Sequence, residues 1–496
     1  MHGKVKNQSQ ARELSNLKLQ KLPPYHLFKI YEDYFVFDTT GCRFYKIDEL
    51  TSDFLMLSLS LSINDAAKTL IASGKYEKDK IIAVKKEIVY LSRHGLFDKI
   101  NSYINIRSVK KSIEACNIND AVMDIQLALS ENCNLACKYC YCAKNYDVSQ
   151  SVLMPEHIAK KMIDFLVSQR PQKVEITMFG GEPLLNKPVI DFIMSYSKRE
   201  DVRREKQISY IITTNATLLD DKTIDYIVND NFGLMVSLDG PKALHDAQCP
   251  TKSGKGSFDI ATKNIKKIMQ RRTVSVRATM THPMPNLKEL VDFFINFGFF
   301  NIVIGTATNR VDAPSDCDFD QNDMKEYCQQ QEELLPWALE YLKQGKKPPY
   351  FIFERWYNSI TTNTISKLPC LFNCGAGTAV IGVDAKGNFF PCAKFIGLNN
   401  WIIGGVEKGV DIVKCKLQWE RYIEAIAPYC GKCWAYPLCH GPCIWECARE
   451  DGSIVFNNNY CDFMKKSIER SAYLSLHQQN SLDDNKLAID QHIDRC

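Results

Sequence analysis

The stretch Ser130-Glu131-Asn132-Cys133-Asn134-Leu135-Ala136-Cys137-Lys138-Tyr139-Cys140-Tyr141 follows an apolar run over Val122–Leu129 with the length of a buried strand. Its cysteines are spaced C-x3-C-x2-C. Three close thiolates on one loop suit three irons of a [4Fe–4S] cluster. A cluster that only carries electrons needs a fourth ligand. Cys142 is the nearest candidate, but two residues after Cys140 is a poor spacing for the same cluster. The plainer alternatives are a zinc site or chance clustering of buried cysteines.

Outward from that loop, strand and helix patterns alternate from about 121 to 307. Strands are expected over Val122–Leu129, Lys173–Phe179, Ile208–Thr214, Leu234–Leu238, Val274–Met280 and Ile302–Gly305. Helices are expected over Pro155–Val167, Val189–Lys198, Lys222–Val228, Phe258–Met269 and Leu287–Phe297. Six such repeats imply an α/β fold with a parallel sheet curled into a full or partial barrel. Chemistry in such folds sits on loops at the C-terminal ends of strands. Polar motifs fall at those ends: Phe179-Gly180-Gly181-Glu182-Pro183, then Thr213-Thr214-Asn215, then Ser237-Leu238-Asp239-Gly240-Pro241. Paired glycines let backbone approach a ligand, and the neighbouring carboxylate suits an ammonium group. Arg277 lies on the fifth strand, where a guanidinium inside a barrel needs an anion; an internal salt bridge is the alternative.

The chain has 496 residues, which suggests about three domains. Hydrophobic residues make up 45% and charged residues 24%, which excludes disorder for most of the chain. A net charge of +4 and no basic helix give no argument for a nucleic-acid partner. No apolar run approaches the ~18 residues of a membrane helix, and the start Met1-His2-Gly3-Lys4 has no apolar segment of a secretory signal. The expectation is a cytoplasmic protein without a membrane partner. In that compartment 20 cysteines read as metal ligands rather than disulfides. Ten of them lie between Cys370 and Cys461. They read Cys370-x3-Cys374, then Cys392, then Cys430-x2-Cys433-x5-Cys439-x3-Cys443, then Cys461. Two zinc ribbons are the plain reading of that set.

Residues 26 to 47 read as a small antiparallel sheet with a turn at Thr40-Gly41. Helices follow, one capped by Asn64-Asp65 and one over Lys80–Leu91 ended by Gly95. This sheet-plus-helices unit spans 1–100, with a polar linker over 101–120. The barrel is expected over 121–345, with a helix from Lys325 to Leu342 near its end, and a cysteine-rich domain over 346–465. A C-terminal helix and tail complete the chain over 466–496.

The motif Cys133-Asn134-Leu135-Ala136-Cys137-Lys138-Tyr139-Cys140 resembles the signature of radical S-adenosylmethionine (SAM) enzymes. The resemblance covers about 120 to 310 and implies a partial (β/α)6 barrel. It also implies that SAM supplies the missing ligand, bound through its amino and carboxylate groups, and is cleaved to a 5′-deoxyadenosyl radical. It places Tyr139 near the adenine and Gly180, Gly181 and Glu182 at the SAM amino group. Thr214, Asn215, Ser237 and Asp239 would lie at ribose and carboxylate oxygens, Arg277 at the SAM carboxylate and Ile304 along the adenine.

The C-terminal cysteine pattern resembles the SPASM extension of peptide-modifying radical SAM enzymes. That implies two auxiliary clusters, making three [4Fe–4S] clusters with the first. Cys370, Cys374, Cys392 and Cys443 would hold one; Cys430, Cys433, Cys439 and Cys461 would hold the other. Cys370 is the variable position, and without it the first auxiliary cluster has an open iron.

Sulfatase-maturing enzymes carry an Asp base directly after the cysteine matching Cys392, where this chain has Ala393 and Lys394. The surrounding segments look instead like maturases of cysteine-rich ribosomal peptides, which join a cysteine sulfur to a carbon of another residue. The implied partners are a cysteine-rich precursor peptide with a leader and a reducing donor such as flavodoxin or ferredoxin. The N-terminal unit is similar to the winged-helix-like element that binds such leaders. The alternatives are sulfatase maturation and a zinc-binding scaffold or regulator without activity.

Overall fold

The computed structural model describes residues 25–97, 102–115, 121–145, 152–230, 232–307, 310–365 and 374–479. Three strands, β1 (Tyr25–Ile30), β2 (Asp33–Asp38) and β3 (Arg43–Ile47), form an antiparallel sheet in the order β1-β2-β3. Six strands then run parallel: β4 (Asp124–Ser130), β5 (Lys173–Gly180), β6 (Gln207–Thr214), β7 (Gly233–Ser237), β8 (Ser275–Met280) and β9 (Asn301–Thr306). Each agrees with its expected strand to within two residues at either end, because these strands alternate. On β8, for example, Val276, Ala278 and Met280 are buried under the helices, while Ser275, Arg277 and Thr279 face the concave side.

The six strands do not close on themselves. β10 (Val380–Val383) pairs parallel with β4, and β11 (Asn388–Phe390), β12 (Gly404–Gly405) and β13 (Gly409–Val410) extend the same sheet as an antiparallel meander. The partial barrel therefore continues into the cysteine-rich region without a break at residue 346. No helix of the described residues is long and apolar enough to cross a membrane.

Several expectations change. The segment 101–120 is not a bare linker. Its residues Ile106–Ala115 form a helix that buries Val109 and Ile113 and packs on the helix Ile412–Cys430. The helix expected over Lys325 to Leu342 is two, Gln321–Glu333 and Leu335–Lys343. Pro336 sits in the first turn of the second, where its missing N–H costs nothing. The cap before the helix Ile63–Ser73 is Ser62, whose Oγ accepts from the Asp65 N–H, rather than Asn64-Asp65. A helix over Glu49–Ser58 was not expected.

The N-terminal sheet is not a free-standing unit. Phe28, Phe35, Phe37 and Phe44 share a core with Leu438, Ile468 and Leu474 from the far end of the chain. His26 stacks on Trp434 at 3.8 Å, and its Nε2 pairs with Glu469 Oε1 at 2.9 Å. The C-terminal helix Cys461–Gln479 thus clamps the N-terminal sheet against the cysteine-rich region.

Candidate functional site

At the end of β4 the chain enters the first cysteine loop, and the end of β5 presses directly on it. Gly181 N–H donates to the Ser130 carbonyl at 2.8 Å and Glu182 N–H to the Asn132 carbonyl at 2.9 Å. A Cβ on Gly180 would lie 2.3 Å from Ser130 O, and one on Gly181 would lie 2.3 Å from Asn132 O. Gly180 also has φ +126°, a backbone state that favours glycine. The sequence reading gave these glycines to a ligand. In the structure their close approach is to the cysteine loop itself.

Glu182 is fully buried. Its Oε1 accepts from Thr214 Oγ1 (2.7 Å) and the Leu184 N–H (3.1 Å), and its Oε2 accepts from the Asn215 N–H (2.8 Å). Burial pushes its carboxyl up to about 7 against those donors. It braces the β6 loop, which in turn reaches the cysteines: Asn215 Nδ2 lies 3.7 Å from Cys133 Sγ and donates to Asn134 Oδ1 at 2.9 Å.

Asp239 was expected at ribose or carboxylate oxygens. It is 2% exposed and spent inside the wall. Its Oδ2 accepts from Tyr139 OH at 2.8 Å and its Oδ1 from the Thr279 N–H at 3.0 Å. Burial raises its carboxyl to about 6 and the Tyr139 phenol well above its usual range. Tyr139 therefore ties the cysteine loop to β7 and β8. Ile304 is also turned away: its side chain packs among the helices, and Val303 and Gly305 face the concave side. Ser237 and Arg277 do face it, on register-paired positions of neighbouring strands, and Arg277 Nη2 lies 3.8 Å from the Cβ position of Gly305.

Of the first three cysteines, burial raises the Cys133 thiol to about 11. The Cys140 thiol is brought down to about 6, chiefly by the hydrogen bond from the Cys142 thiol and then by the Ala143 and Cys142 N–H groups. The Cys137 sulfur lies against that of Cys249, a residue the sequence reading left out. The reason is a short antiparallel ladder: Ala136 N–H donates to the Pro250 carbonyl at 2.8 Å and Lys138 N–H to the Gln248 carbonyl at 3.0 Å. Those two bonds place Cys137 and Cys249 opposite each other.

The later cysteines gather in two groups. Cys374 and Cys443 lie close enough to influence the Cys392 thiol, which burial pushes up to about 12. Cys430 is surrounded by Cys439, Cys461 and Cys433, and burial raises it. Cys370 lies outside the described residues. Cys447 and Cys415 are buried nearby, the latter donating to the Gly377 carbonyl at 3.4 Å.

Among the described residues, three potential ligand atoms all within 4.8 Å of one another occur only at His282, Asp320 and Asp323, whose aspartates form the capping box of the helix Gln321–Glu333. Thiol donor sets of this kind suit iron–sulfur clusters and zinc alike.

One aromatic connects the two regions. Tyr141, next to Cys140, feels the charges of Cys140, Cys392 and Arg277, and burial raises its phenol. Its ring meets Trp445 edge-on at 5.5 Å.

Comparison with known proteins agrees with this architecture. Residues 127–294 match the model of the radical SAM superfamily. The chain is 24% identical over 390 residues to the radical SAM cyclopropyl synthase TigE of Paramaledivibacter caminithermalis, covering 73% of this chain and 76% of that one. It is 22% identical over 369 residues to a cysteine-type anaerobic sulfatase-maturating enzyme of Clostridium novyi, covering 70% and 95%. The solved structure of anSMEcpe with bound AdoMet and Cp18Cys peptide superposes with a TM-score of 0.59 at 18% identity, over 72% of this chain and 99% of that one. That likeness is one of fold.

Proposed function

We propose, from the premise that residues 127–294 form a radical SAM domain and the chain is a radical SAM enzyme, that this protein oxidises a cysteine-rich precursor peptide. The reaction joins a cysteine sulfur of the peptide to a carbon of another of its residues. When loaded, the first cluster with SAM supplies a 5′-deoxyadenosyl radical, and the auxiliary clusters supply electron acceptors. Cys133, Cys137 and Cys140 hold the first cluster. Cys374, Cys392 and Cys443, with Cys370, hold the second; Cys430, Cys433, Cys439 and Cys461 hold the third. Arg277 and Ser237 line the concave face at the expected place of the SAM carboxylate and ribose. Glu182 and Asp239 act as braces that fix the cysteine loop.

The observation that carries this reading is the approach of the Cys392 group to the first cysteine loop through Tyr141 and Trp445. A substrate held between the two regions reaches both. Loss of two hydrogens balances the reaction: the C–H hydrogen atom would go to the 5′-deoxyadenosyl radical, the S–H proton to solvent and the remaining electron to an auxiliary cluster as one C–S bond forms. The peptide leader is received at an edge strand of the N-terminal sheet, where strand addition satisfies backbone groups that no described strand pairs.

Incubation of the loaded enzyme with its precursor tests this. The peptide should lose about 2 Da per ring, and one cysteine per ring should stay unreactive to alkylation after reduction, which separates a thioether from a disulfide. The similarity to sulfatase-maturating enzymes favours a second reading, oxidation of a client cysteine to an aldehyde. A carbonyl-reactive product would establish that one instead. A protein that takes up only zinc would sink both.

A further inference from the structure

The six parallel strands form an open arc. One end strand is β4, extended by β10, and the other is β9. Two described segments meet across the opening at the C-terminal end of the arc. One is the short helix Tyr141–Asn145, which follows the cysteine loop after β4. The other is the strap 310–314 after β9, built on a turn in which the Ala313 N–H donates to the Arg310 carbonyl at 3.0 Å.

Arg310 is the cation of this strap, and its side chain is only 6% exposed. Its guanidinium points three ways. Nε donates to Asp312 Oδ1 at 2.9 Å, Nη1 to Asn145 Oδ1 at 3.5 Å, and Nη2 stands 3.9 Å from Glu450 Oε2. Asp312 Oδ2 accepts from the Glu450 N–H at 2.7 Å, and the Val311 N–H donates to the Glu446 carbonyl at 3.2 Å. From the helix side, Lys144 Nζ reaches the Ala313 and Pro314 carbonyls at 3.4 and 3.5 Å.

The lengths divide these bonds into two kinds. Those that join the strap to the segment 446–450 are of ordinary length. Those that cross the opening to Lys144 and Asn145 lie at the outer limit of a hydrogen bond. The strap is therefore anchored on the side of β9 and the cysteine-rich region, and it only touches the helix. If the crossing bonds part, the guanidinium still has Asp312 to hold it, so parting leaves no buried charge unpaired.

We propose that Arg310 is a positioning residue of a releasable clasp, made with Asn145 and Lys144, that closes the open barrel at its mouth. The clasp parts to admit substrate and shuts while the 5′-deoxyadenosyl radical exists. Closure of this kind keeps a reactive intermediate from side reactions. The relevant hazard is a small thiol, whose weak S–H bond gives hydrogen to a carbon radical where the O–H bond of water does not. The inference rests on the radical SAM reading and not on which bond the peptide acquires.

The test uses the full-length, cluster-loaded enzyme with SAM and dithionite in D2O, with dithiothreitol as the probe. Each radical that the probe's S–D group reaches yields 5′-deoxyadenosine carrying deuterium, which mass spectrometry counts. Arg310→Met should raise the deuterated fraction about ten-fold, the change in open population expected for one lost hydrogen bond to a charged group. Iron content and SAM affinity should stay as in the wild type. Arg310→Lys, which keeps the charge, should recover part of the protection. Lys144→Met changes only an exposed side chain and keeps the inference open to test if Arg310→Met does not fold; it should raise the fraction about three-fold. Equal deuteration in the wild type and Lys144→Met overturns the inference. So does a wild type whose product is already fully deuterated, since its mouth is then open, and so does a rise that accompanies loss of iron. Absence of 5′-deoxyadenosine from every form overturns the radical reading of the site itself.

Discussion

Around Cys133, Cys137 and Cys140 the chain is held before any iron arrives. The loop lies between β4 and β5, bonded to the β5 end through Ser130 and Asn132, to the β6 loop through Asn134, and to Asp239 through Tyr139. Around Cys430 to Cys461 the plan is the reverse. Between Gly431 and Tyr460 the only regular elements are two four-residue helices, Tyr436–Cys439 and Ile444–Cys447, far below the length at which a helix sustains itself. The first region shapes a cluster site with backbone bonds. The second depends on what its thiols bind, as small metal-stapled units do.

That contrast is most severely tested by Cys140→Ala. The variant should lose SAM cleavage altogether, because one of three thiolates is gone. It should keep its fold, because the loop's hydrogen bonds remain. Measurable 5′-deoxyadenosine at the normal rate would remove Cys140 from the first cluster. The complementary experiment strips the iron from the intact protein with a chelator under reducing conditions. Amide exchange over residues 431–460 should then accelerate by two or more orders of magnitude, while β4 to β8 keep their protection. Equal acceleration in both regions would break the comparison.

What could be read in advance follows the same division. Alternating burial made the barrel strands legible, since a period of two survives without knowledge of the partners. Site residues were legible as positions but not as roles. Asp239 has the look of a ligand contact at a strand end, yet its partner Tyr139 lies 100 residues earlier. Cys249 gave no local signal, because only the ladder with Ala136 and Lys138 sets it against Cys137. The helix Ile106–Ala115 was hidden in a polar stretch whose packing surface lies some 300 residues away. In the cysteine-rich region the resemblance to the SPASM extension suggested the grouping, and no periodicity was available to place the elements.

A third experiment probes the wall behind the first loop. His245 is buried, with Nδ1 accepting from the Asp239 N–H at 3.2 Å and Nε2 placed 3.0 Å from Ser257 Oγ. Burial lowers its pKa to about 4, against an ordinary value of 6.5. Between those values the unfolded chain binds the proton and the folded one does not, so stability falls as pH drops from 6.5 to 4. The loss is roughly 3 kcal/mol. His245→Gln, which keeps an acceptor and a donor, should flatten that part of the urea-unfolding profile of the iron-free protein. An unchanged slope would show that His245 is not the group responsible.

The smallest effect compares two glycines, one beside the first cysteine loop and one beside Cys392, that lack a positive φ and so test space alone. A Cβ on Gly181 would lie 2.3 Å from Asn132 O, and one on Gly382 would lie 2.5 Å from the carbonyl carbon of Cys392. Both contacts are with backbone, so something must move. Asn132 cannot yield easily, because its carbonyl accepts from Glu182 N–H and its neighbour Ser130 accepts from Gly181 N–H. Cys392 begins the Ala393–Phe395 turn, which is tied through side chains: Gln126 Oε1 accepts from the Ala393 N–H, and Asn145 Nδ2 and Trp445 Nε1 donate to the Lys394 carbonyl. Gly181→Ala should therefore cost about 2 kcal/mol, as overpacking of a rigid site does, and should lower iron uptake at the first cluster. Gly382→Ala should cost less, because the turn it meets is held by side-chain bonds that can follow its movement. If Gly382→Ala proves the more damaging, the turn carrying Cys392 is as firmly pre-shaped as the first loop, and the division between the two regions narrows to the segment after Gly431.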